Sequence, residues 1–315
     1  MFLEVKNLCK TYGEKQVLKD VNFSLDEGNI ICILGPSGCG KTTILNSIGG
    51  FIKNDSGQII LNGEDISSLN PEERNISTVF QSYGLFSNKN VLENVAYGLK
   101  FRNVKKYDRV KQSMEILKIV GLEGYEFRKI HELSGGQRQR VALARSLVIS
   151  PRLILLDEPF SNLDKNLRIT MRNEIKKLVK YFKMTTILVT HDQEDAFTMA
   201  DRVILMNEGK IIQNSTATEL YNSPNSDFSL SFIGNSNKFE NDNFIRPEKI
   251  KIVEYKNENP AEIVAKQFRG AFIEYRLKLK KQNEKTLKVI ELNTGREKNI
   301  GDDVYIEFNL QKLPN

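Results

Sequence analysis

The sequence predicts an α/β fold built on a parallel sheet, followed by a small all-β domain. Three observations predict it. The apolar run Ile30-Ile31-Cys32-Ile33-Leu34 leads through a glycine-rich loop into Ile44-Leu45-Asn46-Ser47-Ile48, a strand–loop–helix order. A second apolar run, Leu153-Ile154-Leu155-Leu156, ends in Asp157 and Glu158, as suits a central strand covered on both faces. Beyond residue 243 the pattern changes to short alternating stretches separated by turns.

The glycine-rich loop carries the most chemistry. Gly35-Pro36-Ser37-Gly38-Cys39-Gly40-Lys41-Thr42-Thr43 has the spacing of a phosphate-binding P-loop. Backbone N–H groups can crowd a polyphosphate only where side chains are small or absent, and the helix that follows adds a favourable dipole. Lys41 would neutralise the β- and γ-oxygens, and the Thr42 hydroxyl would ligate Mg²⁺. The chain therefore reads as a binder of a nucleoside triphosphate. Cys39 lies within this loop, where amides and Lys41 would favour a reactive thiolate unless the side chain points into the core.

The remaining elements follow in order. Phe2 to Leu8 and Val17 to Leu25 alternate as half-buried strands, with Lys10 to Gly13 as a turn between them, and Gly57 to Gly63 returns to the same antiparallel layer. A short strand ends at Val79-Phe80-Gln81. From there to about residue 150 the pattern is helical, over Val91 to Phe101 and Tyr107 to Val120. Leu133-Ser134-Gly135-Gly136-Gln137 opens another helix, a second candidate for anion binding or a plain turn. Thr185 to Thr190 is a buried strand with His191 at its C-terminal end, and Val203 to Gln213 is a closing hairpin. The segment from Thr218 to Ile233 looks helical, 235–243 reads as a polar linker, and five short strands then suggest a small barrel.

Composition sets bounds. With 315 residues, 40% hydrophobic and 27% charged, the chain suits two soluble domains. No stretch approaches eighteen apolar residues and no signal pattern opens the chain, which predicts membrane contact only through a partner. The net charge of +6 is spread out, and it reads as a solvated surface better than as a nucleic-acid face. The three cysteines match no metal spacing, and Cys9 and Cys32 are expected to be buried.

The P-loop, Gln81, the Leu133–Gln137 pentapeptide, the Asp157-Glu158 strand and His191, in this order and spacing, resemble the ATP-binding cassette (ABC) ATPases over about residues 1 to 235. Phe80-Gln81-Ser82-Tyr83, Val91 to Val95 and Gln137 to Arg145 resemble the ATPase subunits of bacterial binding-protein-dependent importers. Ile245-Arg246-Pro247-Glu248 resembles the OB-like (TOBE) accessory domain of a subgroup that imports sugars, polyamines, ferric iron, phosphonates and oxyanions. The resemblance implies a RecA-like core with an antiparallel β layer, a helical subdomain at about 86–150, a cassette domain over 1–235 and an accessory domain over 236–315. It also implies ATP and Mg²⁺ as cofactors.

Roles carried over by the resemblance are as follows. Tyr12 would stack on adenine, a surface aromatic being the plain alternative, while Ser37 to Thr42 cradle the phosphates. Thr42 would bind the metal directly, Asp157 through water, and Gln81 would reach both metal and water. Glu158 would be the general base and His191 would hold the γ-phosphate and orient Glu158. Ser134, Gly135, Gly136 and Gln137 would complete the site of a second copy in a head-to-tail homodimer, with Asp164 on that interface. A groove around Ser82 to Phe86 would receive a helix of a transmembrane permease subunit, although Ser87 stands where relatives usually carry Pro. The resemblance implies work at the cytoplasmic face of the membrane, with an extracytoplasmic solute-binding protein as an indirect partner. Against it stand an exporter cassette and a non-transport cassette ATPase associated with nucleic acid. The latter would use Phe268, Phe272 and Tyr275 near Lys266 and Arg269 as a strand platform, but those residues fit core alternation equally well.

Overall fold

The computed structural model describes residues 1–281 and 285–314, and the chain falls into two compact units, Met1–Thr218 and Glu219–Asn315. The expected boundary was residue 235, within the second unit.

The first unit opens with β1 (Leu3–Tyr12), β2 (Lys15–Leu25), β3 (Ile30–Leu34), α1 (Lys41–Gly49), β4 (Ser56–Leu61), β5 (Glu64–Asp65) and β6 (Ile76–Val79). Helices α2 (Val91–Val95), α3 (Tyr97–Phe101), α4 (Lys106–Ile119) and α5 (Gly135–Leu147) form the expected helical region. Then come β7 (Leu153–Asp157), α6 (Lys165–Tyr181), β8 (Thr185–Thr190), α7 (Gln193–Met199) and the hairpin β9 (Arg202–Asn207) with β10 (Lys210–Ser215). One sheet has the order β10-β9-β3-β8-β7-β6, and β9, β3, β8, β7 and β6 run parallel. A second, antiparallel sheet has the order β2-β1-β4-β5. Every residue of β3, β7 and β8 is buried, the pattern of strands covered on both faces. Leu3, Val5 and Leu18 from the antiparallel sheet share one core with Ile31, Ile33, Leu153 and Leu155 and with Ile44 and Ile48 of α1. Both sheets thus press on the helix that the P-loop opens.

One turn is shorter than the sequence implies. Lys10, Thr11 and Tyr12 continue β1, pairing with Leu18, Gln16 and Lys15. Asp55 holds them there, accepting from Lys10 Nζ at 2.9 Å and from the Thr11 N–H at 2.6 Å. Cys9 is partly exposed rather than buried, its sulfur accepting from the Asp20 N–H.

The second unit contains α8 (Ala217–Asn222), whose first two residues precede the division, α9 (Asp227–Phe232), β11 (Asn237–Lys238) and β12 (Asn243–Ile245). These are followed by β13 (Lys251–Val253), β14 (Pro260–Phe268), β15 (Phe272–Leu279), β16 (Thr286–Leu292), β17 (Asp303–Glu307) and β18 (Gln311–Lys312). The five expected strands form an antiparallel sheet ordered β13-β17-β14-β15-β16 around Ile263, Tyr275, Leu277 and Ile306. Arg246 explains why residues 219–235 belong to this unit. It is fully buried and donates to the carbonyls of Tyr221, Leu230 and Asn235, with its guanidinium 4.3 Å from the centroid of the Tyr221 ring. Burial, reinforced by the Glu248 carboxylate, pushes the Tyr221 hydroxyl up to about 12.

The polar stretch 235–243 is not a free linker, because β11 joins a three-stranded sheet with β12 and β18. Asn237 supplies the reason. Its amide donates to the Lys288 carbonyl and its oxygen accepts from the Lys288 N–H, both at 2.7 Å. A side chain here does the work of a neighbouring strand. Asn237→Ala would strand two backbone groups, a loss of about 1–3 kcal/mol for each buried group left unpaired. Thermal or urea unfolding of the variant is expected to show the second unit destabilised, and unchanged unfolding would remove Asn237 from this role.

Candidate nucleotide site

Parallel pairing brings four strand ends to one edge. Leu34 of β3 pairs with Thr190 of β8, Asp157 of β7 with Val189 of β8, and Val79 of β6 with Leu156 of β7. The P-loop, His191, Glu158 and Gln81 follow these residues and Asp157 is one of them, and ligand chemistry in open α/β sheets gathers at such an edge.

The loop is shaped by close approach. A Cβ on Gly35 would lie 2.4 Å from the Met206 carbonyl oxygen and 2.9 Å from the Cys39 sulfur. Gly40, at φ +106°, caps α1 with no side-chain hydrogen bond, which leaves first-turn N–H groups for an anion. The loop is tied to the β9–β10 turn, where the Gly209 N–H donates to the Cys39 carbonyl at 3.1 Å. Pro36, Ser37 and Gly38 line a groove of about 500 Å³ together with Lys15, Gln16 and Val17. Tyr12 pairs with Lys15 and is 49% exposed, with Lys10 Nζ 5.5 Å from the centroid of its ring. Lys41 is buried, and its ammonium donates to the Gly35 and Pro36 carbonyls at 2.9 and 2.8 Å.

Around the carboxylates, Thr42 Oγ1 donates to Asp157 Oδ1 at 3.3 Å. Burial raises the Asp157 carboxyl above its ordinary value, with the Thr42 hydroxyl opposing the rise. Glu158 is held from both sides. Its Oε1 lies 3.2 Å from His191 Nδ1, and its Oε2 accepts from Gln81 Nε2 at 3.5 Å. Gln81 also donates to Ser161 Oγ at 3.1 Å, and Ser161 donates to the Glu158 carbonyl at 3.0 Å. Asn162 donates to the Gln81 carbonyl at 2.9 Å.

The other expected residues stand at helix starts. Ser134 caps α5 through a reciprocal pair with Gln137: its N–H donates to Gln137 Oε1 and its hydroxyl accepts from the Gln137 N–H. Gly135 and Gly136 lie against Leu163 and Leu167, where a Cβ would meet side-chain carbons at 3.3 and 3.1 Å. Asp164 caps α6, accepting from the Leu167 N–H at 3.0 Å. In the expected docking groove Tyr83 is buried, and the Tyr83 and Gly84 carbonyls accept from Arg145. Phe86 is pinned by Asn94, which accepts from its N–H and donates to its carbonyl.

The ABC transporter family model matches residues 18–161, and the TOBE domain model matches 244–313. The Fe(3+) ions import ATP-binding protein FbpC of Mannheimia succiniciproducens is 47% identical over 76% of this chain and 68% of its own length. The spermidine/putrescine import ATP-binding protein PotA of Mycoplasma capricolum is 47% identical over 79% of this chain and 71% of its own. The chain belongs to the ABC transporter family. Among solved structures, the dimeric post-hydrolysis state of the ATP-binding cassette MJ0796 bound to ADP and Pi matches with a TM-score of 0.61 at 34% identity. That match covers 68% of this chain and 98% of the other.

Of the two readings of Cys39 the structure supports the buried one, and it adds residues that sequence reasoning missed. Cys39 is 4% exposed, and burial raises its thiol despite the nearby Lys41 ammonium. The amides and lysine that should favour a thiolate are outweighed by desolvation, because the sulfur is packed close to Gly35, where a Cβ would come within 2.9 Å of it. Ser161 and Asn162 are the missed residues. Their only signal is a hydroxyl and an amide placed directly after Glu158-Pro159-Phe160. Alkylation with iodoacetamide at pH 8 is expected to label Cys9 first and Cys39 slowly, with or without nucleotide. Rapid labelling of Cys39, read by peptide mass spectrometry, would contradict the buried thiol.

Proposed function

We propose that this chain is an ATPase whose hydrolysis of ATP powers solute import through separate membrane subunits. The supporting observation is the carboxylate of Glu158, fixed between His191 and Gln81 one residue beyond the Asp157–Thr42 pair. The family relatives named above are import ATP-binding proteins, which favours transport over the nucleic-acid alternative.

Each residue has a task. Backbone N–H groups of Ser37 to Thr42 receive the phosphates, and the Lys41 ammonium moves from the loop carbonyls to the β- and γ-oxygens. Thr42 and Asp157 offer hard oxygen ligands, and no group of three or more His, Cys, Asp or Glu side chains among the described residues could hold a metal ion by itself. That donor set suits Mg²⁺, which is commonly bound by one or two protein oxygens plus substrate phosphates. When bound there, Mg²⁺ supplies neutralisation of the charge that develops on the phosphoryl oxygens. Gln81 would be a further ligand and a hydrogen-bond partner of the attacking water. Glu158 accepts that water's proton, and His191 orients Glu158 and holds the γ-phosphate. Tyr12 stacks on the adenine.

Ser134, Gly136 and Asp164 sit at the N-terminal ends of α5 and α6, where a phosphate of a second copy could be met. We read the active unit as a head-to-tail homodimer with two shared sites. Among the described residues no helix is long and apolar enough to cross a membrane, so the membrane path would belong to permease subunits that dock near Phe86 at the cytoplasmic face. An external solute-binding protein would deliver the solute, with ferric iron or a polyamine first among the classes named, ahead of phosphonates and sugars.

Two outcomes test this reading. Glu158→Gln is expected to keep ATP binding while slowing hydrolysis roughly 10²–10⁴-fold; turnover near that of the parent would remove Glu158 as base. Ser134→Arg mixed with Lys41→Ala is expected to regain hydrolysis that neither variant has alone, through one intact shared site. Mixed dimers that form and stay inactive would argue against the shared geometry or show that both sites must act together.

A further inference from the structure

We propose that Arg168 and Arg172 of α6 are positioning residues that hold the His191 loop in register with Glu158, acting through Asp192, Asp195 and Thr190. The proposal rests on the hydrolytic roles given above to His191 and Glu158.

The two arginines are four residues apart and so share one face of α6. Arg168 Nη1 donates to Asp192 Oδ2 at 2.8 Å. Arg172 donates from Nε and Nη2 to the single oxygen Asp195 Oδ1, at 2.9 and 2.6 Å. This second pair is almost wholly buried, with side-chain exposures of 5% and 4%. The other oxygen of Asp195 accepts from Thr190 Oγ1 at 2.8 Å, and the same hydroxyl accepts from the Asp192 N–H at 3.0 Å. Asp192 in turn caps α7, accepting from the Glu194 N–H at 2.8 Å. His191 therefore stands between Asp192, whose carboxylate is tied directly to Arg168 of α6, and Thr190, whose hydroxyl is tied to Arg172 through Asp195.

His191 itself is half exposed, with a side-chain exposure of 51%, and touches Glu158 through one contact of 3.2 Å. Nothing about a half-exposed imidazole at a strand end fixes its place. The ion pairs beneath it do. A buried pair of charges is weak evidence of stability, since apolar residues of equal volume often serve as well. Its directional hydrogen bonds are what apolar residues cannot supply. Burial raises the Asp195 carboxyl, and the Thr190 hydroxyl and Arg172 guanidinium oppose that rise. The donors thus keep an acceptor in place for Thr190.

The N-terminal cap of α6 gives the arrangement its reach. Asp164 caps the helix, and Arg168 also donates to the Leu163 carbonyl at 3.5 Å. Ser161, three residues before Asp164, donates to Glu158 and accepts from Gln81. A shift of the segment 161–164 would therefore reach Glu158 through Ser161 and His191 through the arginines.

Thr190→Val keeps shape and removes the hydroxyl; Arg168→Met keeps length and removes the charge; Arg172→Met with Asp195→Leu removes both buried charges together, so that none is left unpaired. In the full-length chain we expect each to lower kcat about 10- to 100-fold, the size of a small misplacement of a reacting group. Affinity for Mg-ATP, set by the P-loop, should stay within about twofold, the mark of an interaction used in the transition state alone. Arg168→Lys should recover much of the kcat lost in Arg168→Met. In a His191→Ala background, Thr190→Val should cost nothing more, because residues acting through one group are not additive.

Parent-like kcat in Thr190→Val and Arg168→Met would overturn the proposal. So would nucleotide affinity that falls in step with kcat, or losses that multiply with His191→Ala. Parent-like turnover in His191→Ala and Glu158→Gln would instead sink the hydrolytic reading, and this proposal with it.

Discussion

The site depends on the register of the parallel sheet. Four strands must end together for a loop, a glutamine, two carboxylates and a histidine to meet, and hydrogen-bond pairing fixes where each strand ends. Strand side chains alternate between faces, so a slip of one residue in β7 would turn Asp157 to the other side and carry Glu158 with it. The pairing of Asp157 with Val189 and of Leu34 with Thr190 excludes that slip. The pairing is held in turn by strands buried along their whole length. Burying an apolar area at about 25 cal/mol per Å² is what keeps polar chemistry aligned at its edge.

The polar groups at that edge bond one another. Lys41 turns to two carbonyls of its own loop, Thr42 turns to Asp157, and Gln81 turns to Ser161 and Glu158. Each of these bonds joins a group suited to phosphate or metal to a group that can keep it from being a buried orphan. The glycines make the close packing of the loop possible. At Gly35 a side chain would strike the Met206 carbonyl before any ligand arrived.

Much of this was legible in the sequence, and the rest was not, for identifiable reasons. Glycine spacing, apolar runs and the residues that end them are local, so the P-loop, the carboxylate strand and His191 could be read directly. Asn237 could not, because an asparagine looks like loop chemistry until Lys288 is placed beside it. The Cys39 thiol stayed open between a reactive and a buried reading, because the sequence names the charged neighbours of a group but not its burial, and here burial wins. Arg172 breaks an apolar stripe of Met171, Ile175 and Val179, a signal visible in the sequence, but its partner lies across a strand and a turn.

Glu158 shows how the parts constrain each other. It precedes Pro159, and a residue before proline favours extended backbone. Yet its φ is +43°, a conformation that costs a side-chain-bearing residue about 1–3 kcal/mol where it persists. The surroundings leave it little choice. Its N–H donates to the Val189 carbonyl at 2.9 Å, which extends the pairing of β7 with β8 by one more residue. Its carbonyl accepts from both the N–H and the hydroxyl of Ser161 at 3.2 and 3.0 Å. The backbone is thus fixed on one side by the sheet and on the other by the turn that leads to α6. The carboxylate leaves the line of the strand and meets His191 and Gln81. Relaxing the strain would require breaking the sheet register or the Ser161 turn, so the position of the carboxylate is as secure as those two elements together.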